Sequence, residues 1–276
     1  MLCFLSKYRS ITLGGSILLA ITIIAIFAPL LASQNPRTGN MMNALISPNR
    51  TFPLGTDQYG RDILSRIIYG SRLSLLIGLL VQGLNTLIGV SLGLFAGYFG
   101  GKLDDFVMGL TNLMLSVPVL ILSLAIMAIL GPGLFNLFIA LTIAGWTYTC
   151  RIARANTLSV KTLEYTQAAR AMGCSTFRIL SRHILPNILG PILVIATLGV
   201  ADVILMAATL SFLGLGAQPP TPEWGAMLSQ GRDYMYFAPW ISMFPGMALF
   251  ITIMGLNVLG DGLQDFLNPR QRRLKR

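Results

Sequence analysis

The residues with the means for covalent chemistry are few. The chain has one histidine, His183, and ten acidic side chains. His183 has no cysteine, histidine or acid at zinc-ligand spacing, and no His-Glu-x-x-His helix occurs. The Gly-x-x-x-x-Gly-Lys-Ser/Thr loop that cradles nucleotide phosphates is missing from the sequence. Ser211-Phe-Leu-Gly does not fit the Gly-x-Ser-x-Gly elbow of a serine nucleophile. Cys3, Cys150 and Cys174 show neither metal-ligand nor disulfide spacing and read as small apolar fillers or incidental thiols. This set points away from an enzyme and from a bound cofactor or metal. The remaining occupations are moving something or holding something.

Two features carry polar chemistry of another kind. Asp202 is the one acid well inside an apolar run. An ionisable group there is expensive, and it faces either a cavity or a partner within the bundle. One reading makes it a pathway residue attracting an amino group or cation; the other makes it a carboxyl bonded to a neighbouring helix or kept protonated. The second feature is the polar stretch Arg151 to Asn187, set between two long apolar segments. Its spacing predicts a helix over Thr162–Met172 stopped by Gly173, suited to a left-handed cap. A second helix is predicted from the N-cap Ser175 to just before Pro186. Helices of about three turns are marginal alone in water, so this pair needs a surface. The pattern places Phe177, Leu180 and Ile184 on one face and Arg178 and Arg182 on another, as in a docking element.

The elements that position these groups are apolar. The 276 residues are 54% hydrophobic and 11% charged, with a mean hydropathy of +0.70. Soluble domains carry roughly 25% charged residues. The composition is that of an all-α polytopic membrane protein. Six spans are expected: 11–32, 73–99, 106–130 softened at Pro118, 134–150, 188–216 and 241–260. The first run is longer than a signal-peptide core, typically about 7–15 residues, and reads as a retained helix. Glycines within the spans (Gly78, Gly83, Gly89, Gly93 and Gly97 in the second, Gly246 and Gly255 in the sixth) serve close packing or, as the alternative, hinges.

A net charge of +10 would indicate nucleic acid in a soluble protein; here the distribution of basic residues sets topology. Lys7, Arg9, Lys102, Arg151, Arg154, Lys161, Arg170, Arg178, Arg182 and the basic tail from Arg270 onward fall on one side. Arg37, Arg50, Arg61, Arg66, Arg72 and Arg232 fall on the other, most of them in a long first loop that also carries Asp57 and Asp62. The central loop and both termini are therefore expected in the cytoplasm, with no nucleic-acid partner.

Three ordered stretches then resemble a known family. They are Leu54-Gly-Thr-Asp-Gln-Tyr-Gly-Arg-Asp-Ile-Leu-Ser-Arg66 with Tyr69-Gly-Ser-Arg-Leu-Ser-Leu75, the central loop, and Ser211-Phe-Leu-Gly-Leu-Gly-Ala-Gln-Pro-Pro-Thr-Pro-Glu-Trp-Gly-Ala-Met227, continued by Pro245-Gly246 and Asn257-Val-Leu-Gly-Asp-Gly-Leu-Gln-Asp265. Together they resemble the integral membrane permeases of ATP-binding-cassette importers, in particular the second permease subunit of the dipeptide, oligopeptide and nickel branch. The family's central loop bears Glu-Ala-Ala, three residues, Gly, nine residues and Ile-x-Leu-Pro. Here it reads Gln167-Ala168-Ala169, Gly173 and His183-Ile-Leu185-Pro186, with Gln167 for the acid and His183 for the isoleucine.

The resemblance implies the ABC type I importer permease fold: an N-terminal segment 1–70, a permease core 71–265 with a coupling loop 151–187, and a basic tail 266–276. It also implies a coupling helix seated in a groove of a cytoplasmic ATPase. Tyr165, Gln167, Ala168, Ala169, Arg170, Gly173, Phe177, Arg178, Arg182 and Pro186 would form the docking surface. Asp57, Arg61, Asp62, Glu223 and Trp224 would brace the opposite loops or touch a delivering binding protein. The implied partners are a second permease, two ATPase subunits holding ATP and Mg, an extracytoplasmic solute-binding protein and membrane lipid, in a bacterial inner membrane. Peptides are the expected cargo and nickel chelates the alternative. A secondary transporter, which wants several embedded charges, and a non-transporting scaffold are the rivals from other classes.

Overall fold

The 37-residue helix from Ile63 to Phe99 is the axis against which the chain folds. In the computed structural model, residues 9–267 are described. The readings on Cys3, Lys7 and the tail beyond Leu267 lie outside them. We number the helices α1 (Arg9–Ile26), α2 (Ala28–Leu31), α3 (Ile63–Phe99), α4 (Gly101–Leu115), α5 (Val119–Leu130), α6 (Leu134–Lys161), α7 (Glu164–Ala171), α8 (Thr176–Phe212), α9 (Trp224–Gly231) and α10 (Trp240–Leu267). The described residues are helical with connecting turns, and contain a single isolated bridge, Thr56 to Asp62.

Four helices (α1, α3, α8 and α10) are long and apolar enough to cross a membrane. A fifth span exists if α4 and α5 are one broken crossing. The sequence led us to expect a soft break at Pro118, yet the two halves meet at 88°. Proline disfavours a helical residue before it and offers no N–H, so the helix ends at Leu115 and restarts at Val119. The first run is also interrupted. α1 stops at Ile26 and α2 restarts with Pro29 in its first turn. α3 begins ten residues before the expected start at Leu73 and runs unbroken through the boundary drawn at residue 70. At 1.5 Å per residue α3 is about 55 Å long, well beyond a hydrocarbon core of about 30 Å.

Glycine decides how closely α3 approaches its neighbours. Gly89, Gly93 and Gly97 recur every four residues on one face and lie against α6. A Cβ at Gly89 would stand 2.7 Å from the Trp146 carbonyl oxygen, and one at Gly93 would overlap that of Cys150. Packing is thus the role of these glycines. Gly83 meets no neighbouring atom within 4 Å. Another contact brings α1 onto α10, where a Cβ at Gly255 would stand 2.8 Å from Ile17 Cγ2.

The core lies where α3, α5, α6 and α8 converge. Ile77, Val81, Met127, Leu137, Leu141 and Leu210 are all buried there. A second cluster joins the central loop to the bundle: Leu94 and Ala153 pack with Ile179, Leu180, Ile184 and Ile188.

Candidate functional site

The 162–187 loop begins with α7, which ends as the sequence predicts. Gly173 takes φ +79°, its N–H donates to the Arg170 carbonyl, and the Cys174 N–H donates to that of Ala169 at 3.1 Å. These two bonds satisfy carbonyls that a helix end leaves open. Ser175 caps the following helix, its Oγ accepting the Arg178 N–H.

That second helix departs from expectation at Pro186. It does not stop there; Thr176–Phe212 is one helix of 37 residues. The reason is a π turn over Ile179–Ile184, after which the Leu185 N–H donates to the Leu180 carbonyl. The wider turn lets the chain pass a residue that has no N–H to place. Ile179 and Leu180 take the inward face, which turns Phe177 outward: Phe177 is 80% exposed, Leu180 7% and Ile184 fully buried.

The ten residues assigned to docking therefore divide. Tyr165, Gln167, Ala168, Arg170, Gly173, Phe177, Arg178, Arg182 and Pro186 are exposed, whereas Ala169 is 2% exposed and seats α7 on the bundle. Met172, not singled out by sequence, is 77% exposed beside them. Polar bonds fix the loop to the span ends. Gln167 Nε2 donates to the Lys161 carbonyl at 3.0 Å, and Lys161 Nζ donates to the Tyr98 carbonyl at 2.5 Å. Gln167 thus has a role that a carboxylate, lacking a donor, cannot fill. His183 lies beside Tyr165, ring centroids 6.4 Å apart. Arg154 grips Asp104 through Nε and Nη2.

At the other end of the bundle, Asp57, Arg61, Asp62, Glu223 and Trp224 are buried, each 1–4% exposed. Arg61 Nε donates to Asp57 Oδ2 at 2.6 Å and Arg61 Nη2 to Gln230 Oε1 at 2.9 Å. Arg66, which the sequence did not mark, shares Gln230 and also donates to the Pro36 carbonyl. Asp62 caps α3 by accepting the Ser65 N–H at 2.8 Å. Glu223 caps α9, accepting the N–H groups of Gly225 and Ala226 at 2.9 Å each. Burial nevertheless pushes the Glu223 carboxyl above its usual range, outweighing those bonds. Trp224 Nε1 donates to the Ile67 carbonyl. In this chain the five side chains brace loops to helices. The exposed groups at this end are others, among them Met42, Tyr59, Tyr236 and Phe237.

Asp202 is exposed in the single chain and lines a cleft of about 500 Å³ between α3, α6 and α8. Gln82, Asn85, Tyr148 and Thr149 share the lining. The sequence reading missed both amides. Their signal was available, as two uncharged polar side chains three residues apart within an apolar run.

Comparison with known proteins fits this architecture. Residues 89–273 match the family of binding-protein-dependent transport system inner membrane components, and the chain belongs to that family. Its relatives include the dipeptide transport system permease protein DppC of Alkalihalophilus pseudofirmus, 44% identical over 97% of this chain and 88% of that protein. The di/tripeptide transport system permease DppC of Pseudomonas aeruginosa is 42% identical over 94% of this chain and 88% of its own length. The oligopeptide transport system permease OppC of Bacillus subtilis is 40% identical over 94% of this chain and 85% of its own. A chain of the inward-facing MetNI methionine ABC transporter superposes with a TM-score of 0.60 at 21% identity, over 75% of this chain and 98% of that one, and shares the fold.

Proposed function

We propose that this chain is one of two permease subunits of an ATP-binding-cassette importer, forming half of the pathway for di- and oligopeptides. The observation that carries the reading is the relationship to a dipeptide permease, 44% identity over 97% of the chain. Nickel-chelate import gains no support from the relatives, whose names specify peptides. In this reading six helices cross the membrane: α6, with 28 residues, is the fourth crossing, and the broken α4–α5 pair is the third. Both termini and the 151–187 stretch face the cytoplasm, and residues 71–265 form the permease core, to which the start of α3 from Ile63 is joined without a break.

ATP and Mg belong to two partner ATPases that receive the exposed face of Tyr165, Phe177, Arg178 and Arg182. Supporting this is the exposure of large apolar side chains on a polar loop, Phe177 at 80% and Met172 at 77%. Displacement of the docked loop passes into α8, which has no break between Phe177 and Asp202. Those residues are 25 apart in sequence, or about 37 Å along the axis at 1.5 Å per residue. ATP shifts the pathway only through different affinities for its two arrangements, so the partners supply the drive and this chain transmits it. A binding protein delivers the peptide at the opposite end, where the buried brace holds the loops in shape. Asp202 lines the pathway.

Reconstitution of the permease pair with its ATPases and binding protein in proteoliposomes tests the assignment. ATP-dependent uptake of labelled di- and tripeptides is the expected result. Uptake that proceeds without ATPase subunits, driven by an ion gradient, would refute it in favour of a secondary transporter.

A further inference from the structure

The cleft beside Asp202 is a constructed site. Asn85 is 1% exposed and Gln82 6% exposed, although both sit midway along a helix otherwise rich in apolar residues. Each carboxamide occupies space vacated by a glycine on a neighbouring helix. A Cβ at Gly145 of α6 would overlap Asn85 Nδ2, and one at Gly199 of α8 would stand 2.5 Å from Gln82 Cδ. Gly145 and Gly199 themselves line the cleft. Gly199 and Asp202 are three residues apart and so share a face of α8.

Three helices thus contribute a carboxylate, two carboxamides, the Tyr148 phenol and the Thr149 hydroxyl to one cavity wall. Asn85 Oδ1 is buried and accepts no hydrogen bond from the protein. An orphaned buried acceptor costs free energy unless something else satisfies it. No lysine or arginine lines the cleft, so the Asp202 charge has no basic partner there. The described residues contain no cluster of three His, Cys, Asp or Glu side chains able to hold a metal ion.

Resting on the peptide-importer reading, we infer that this wall is a recognition site for the amino-terminal end of a peptide in transit. The Asp202 carboxylate accepts hydrogen bonds from the free α-ammonium group. Gln82 and Asn85 pair with the first peptide bonds, each carboxamide offering a donor and an acceptor to match a backbone amide. An extended peptide repeats those groups whatever its side chains, so the site selects a free amino terminus rather than a sequence. The apolar remainder of the lining (Val119, Leu141, Ile195, Leu198, Val203 and Met206) tolerates varied side chains.

The test uses the complete permease–ATPase complex without binding protein, in detergent, with equilibrium dialysis of labelled trialanine and N-acetyl-trialanine. The free peptide is expected to bind about ten- to a hundred-fold more tightly, the range for one charge-assisted hydrogen bond. Asp202→Asn should collapse that ratio towards one, and Asp202→Glu should recover it in part. Asn85→Ala should weaken both ligands alike and leave the ratio standing. Equal binding of the two peptides by the wild type, no saturable binding, or an unchanged ratio in a correctly assembled Asp202→Asn complex would each overturn the inference. Should Asp202→Asn fail to assemble, the wild-type ratio and the Asn85→Ala result still decide. Proteoliposome uptake separates the two levels: peptide uptake without amino-terminal selectivity defeats this site alone, while absence of any peptide uptake defeats the importer reading.

Discussion

Phe177 offers the sharpest separation between docking and folding. Its ring is 80% exposed, so removing it takes little from the chain's own core. Fully burying a phenylalanine side chain contributes about 1.5–3 kcal/mol. If an ATPase groove covers the exposed four-fifths, Phe177→Ala should lose about 1.2–2.4 kcal/mol of association, or roughly eight- to sixty-fold in Kd. The assay titrates fluorescently labelled ATPase subunits onto the detergent-purified permease pair and follows anisotropy, with the thermal unfolding midpoint of the pair as the control for folding. Leu180→Ala, three residues away but 7% exposed and packed with Leu94 and Ile184, should behave oppositely. It should lower the unfolding midpoint, because a buried Leu→Ala costs about 2–5 kcal/mol. A Kd for Phe177→Ala within two-fold of wild type would show that the ring is not in the interface and that the docking surface lies elsewhere.

Two further substitutions test the architecture. Gly93→Ala places a Cβ against the Cys150 carbonyl oxygen and should destabilise by about 1–3 kcal/mol, while Gly83→Ala, with open space around it, should not, as thermal unfolding in detergent will report. Arg61→Ala removes the 2.6 Å partner of buried Asp57 but leaves Arg66 Nε 3.6 Å from the same carboxylate, so the loss should fall short of the roughly 3–5 kcal/mol seen when a buried charge is left unpaired, and protease cleavage in the 33–62 loop should accelerate.

What the sequence revealed and what it concealed divide by the range of the physics involved. Local rules worked where one residue determines its own backbone. Gly173 at φ +79° and Ser175 at an N-cap are cases in which side-chain chemistry alone selects the conformation. Proline was harder, because its effect depends on what the chain does around it. Pro118 produced an 88° bend where a soft one was expected, while Pro186 was absorbed by a π turn and ended nothing. A missing N–H forbids one hydrogen bond; whether the helix stops, bends or widens is set by packing on either side. Phe177 followed the same logic. Periodicity grouped it with Leu180 and Ile184, but burial of Ile179 rotated the face and left the ring outside.

The missed residues share a different cause. Arg66, Gln230, Gln82 and Asn85 acquire meaning only through partners far away in sequence: Gln230 bonds residues more than 160 positions earlier, and the two amides fit because glycines on α6 and α8 make room. A one-dimensional pattern cannot show a pairing between a carboxamide and a distant missing Cβ. The resemblance stretches placed Arg61 and Asp62 in a loop without revealing that both are buried.

The same helix joins the two halves of the proposed mechanism, and its construction explains how a loop movement reaches the cleft. Ile179, Leu180 and Ile184 anchor the start of α8 to Leu94 of α3 and Ala153 of α6, so the loop cannot shift without moving the ends of two other helices. Farther along, a Cβ added at Gly78 of α3 would stand 2.6 Å from Ile204, a close fit near Asp202 that resists sliding. Close packing at both ends makes α8 a lever, and the π turn lies within the docking face, with Phe177 and Arg178 before it, Arg182 inside it and Pro186 just beyond it. A wider turn with a proline beside it is where such a helix yields most readily. Bending there would change the angle of the upper helix relative to α3, and with it the distance from Asp202 to Gln82 and Asn85. Docking and recognition are then coupled through one element: closure of the partners alters how well the cleft holds an amino terminus, and a peptide held there biases the loop in return.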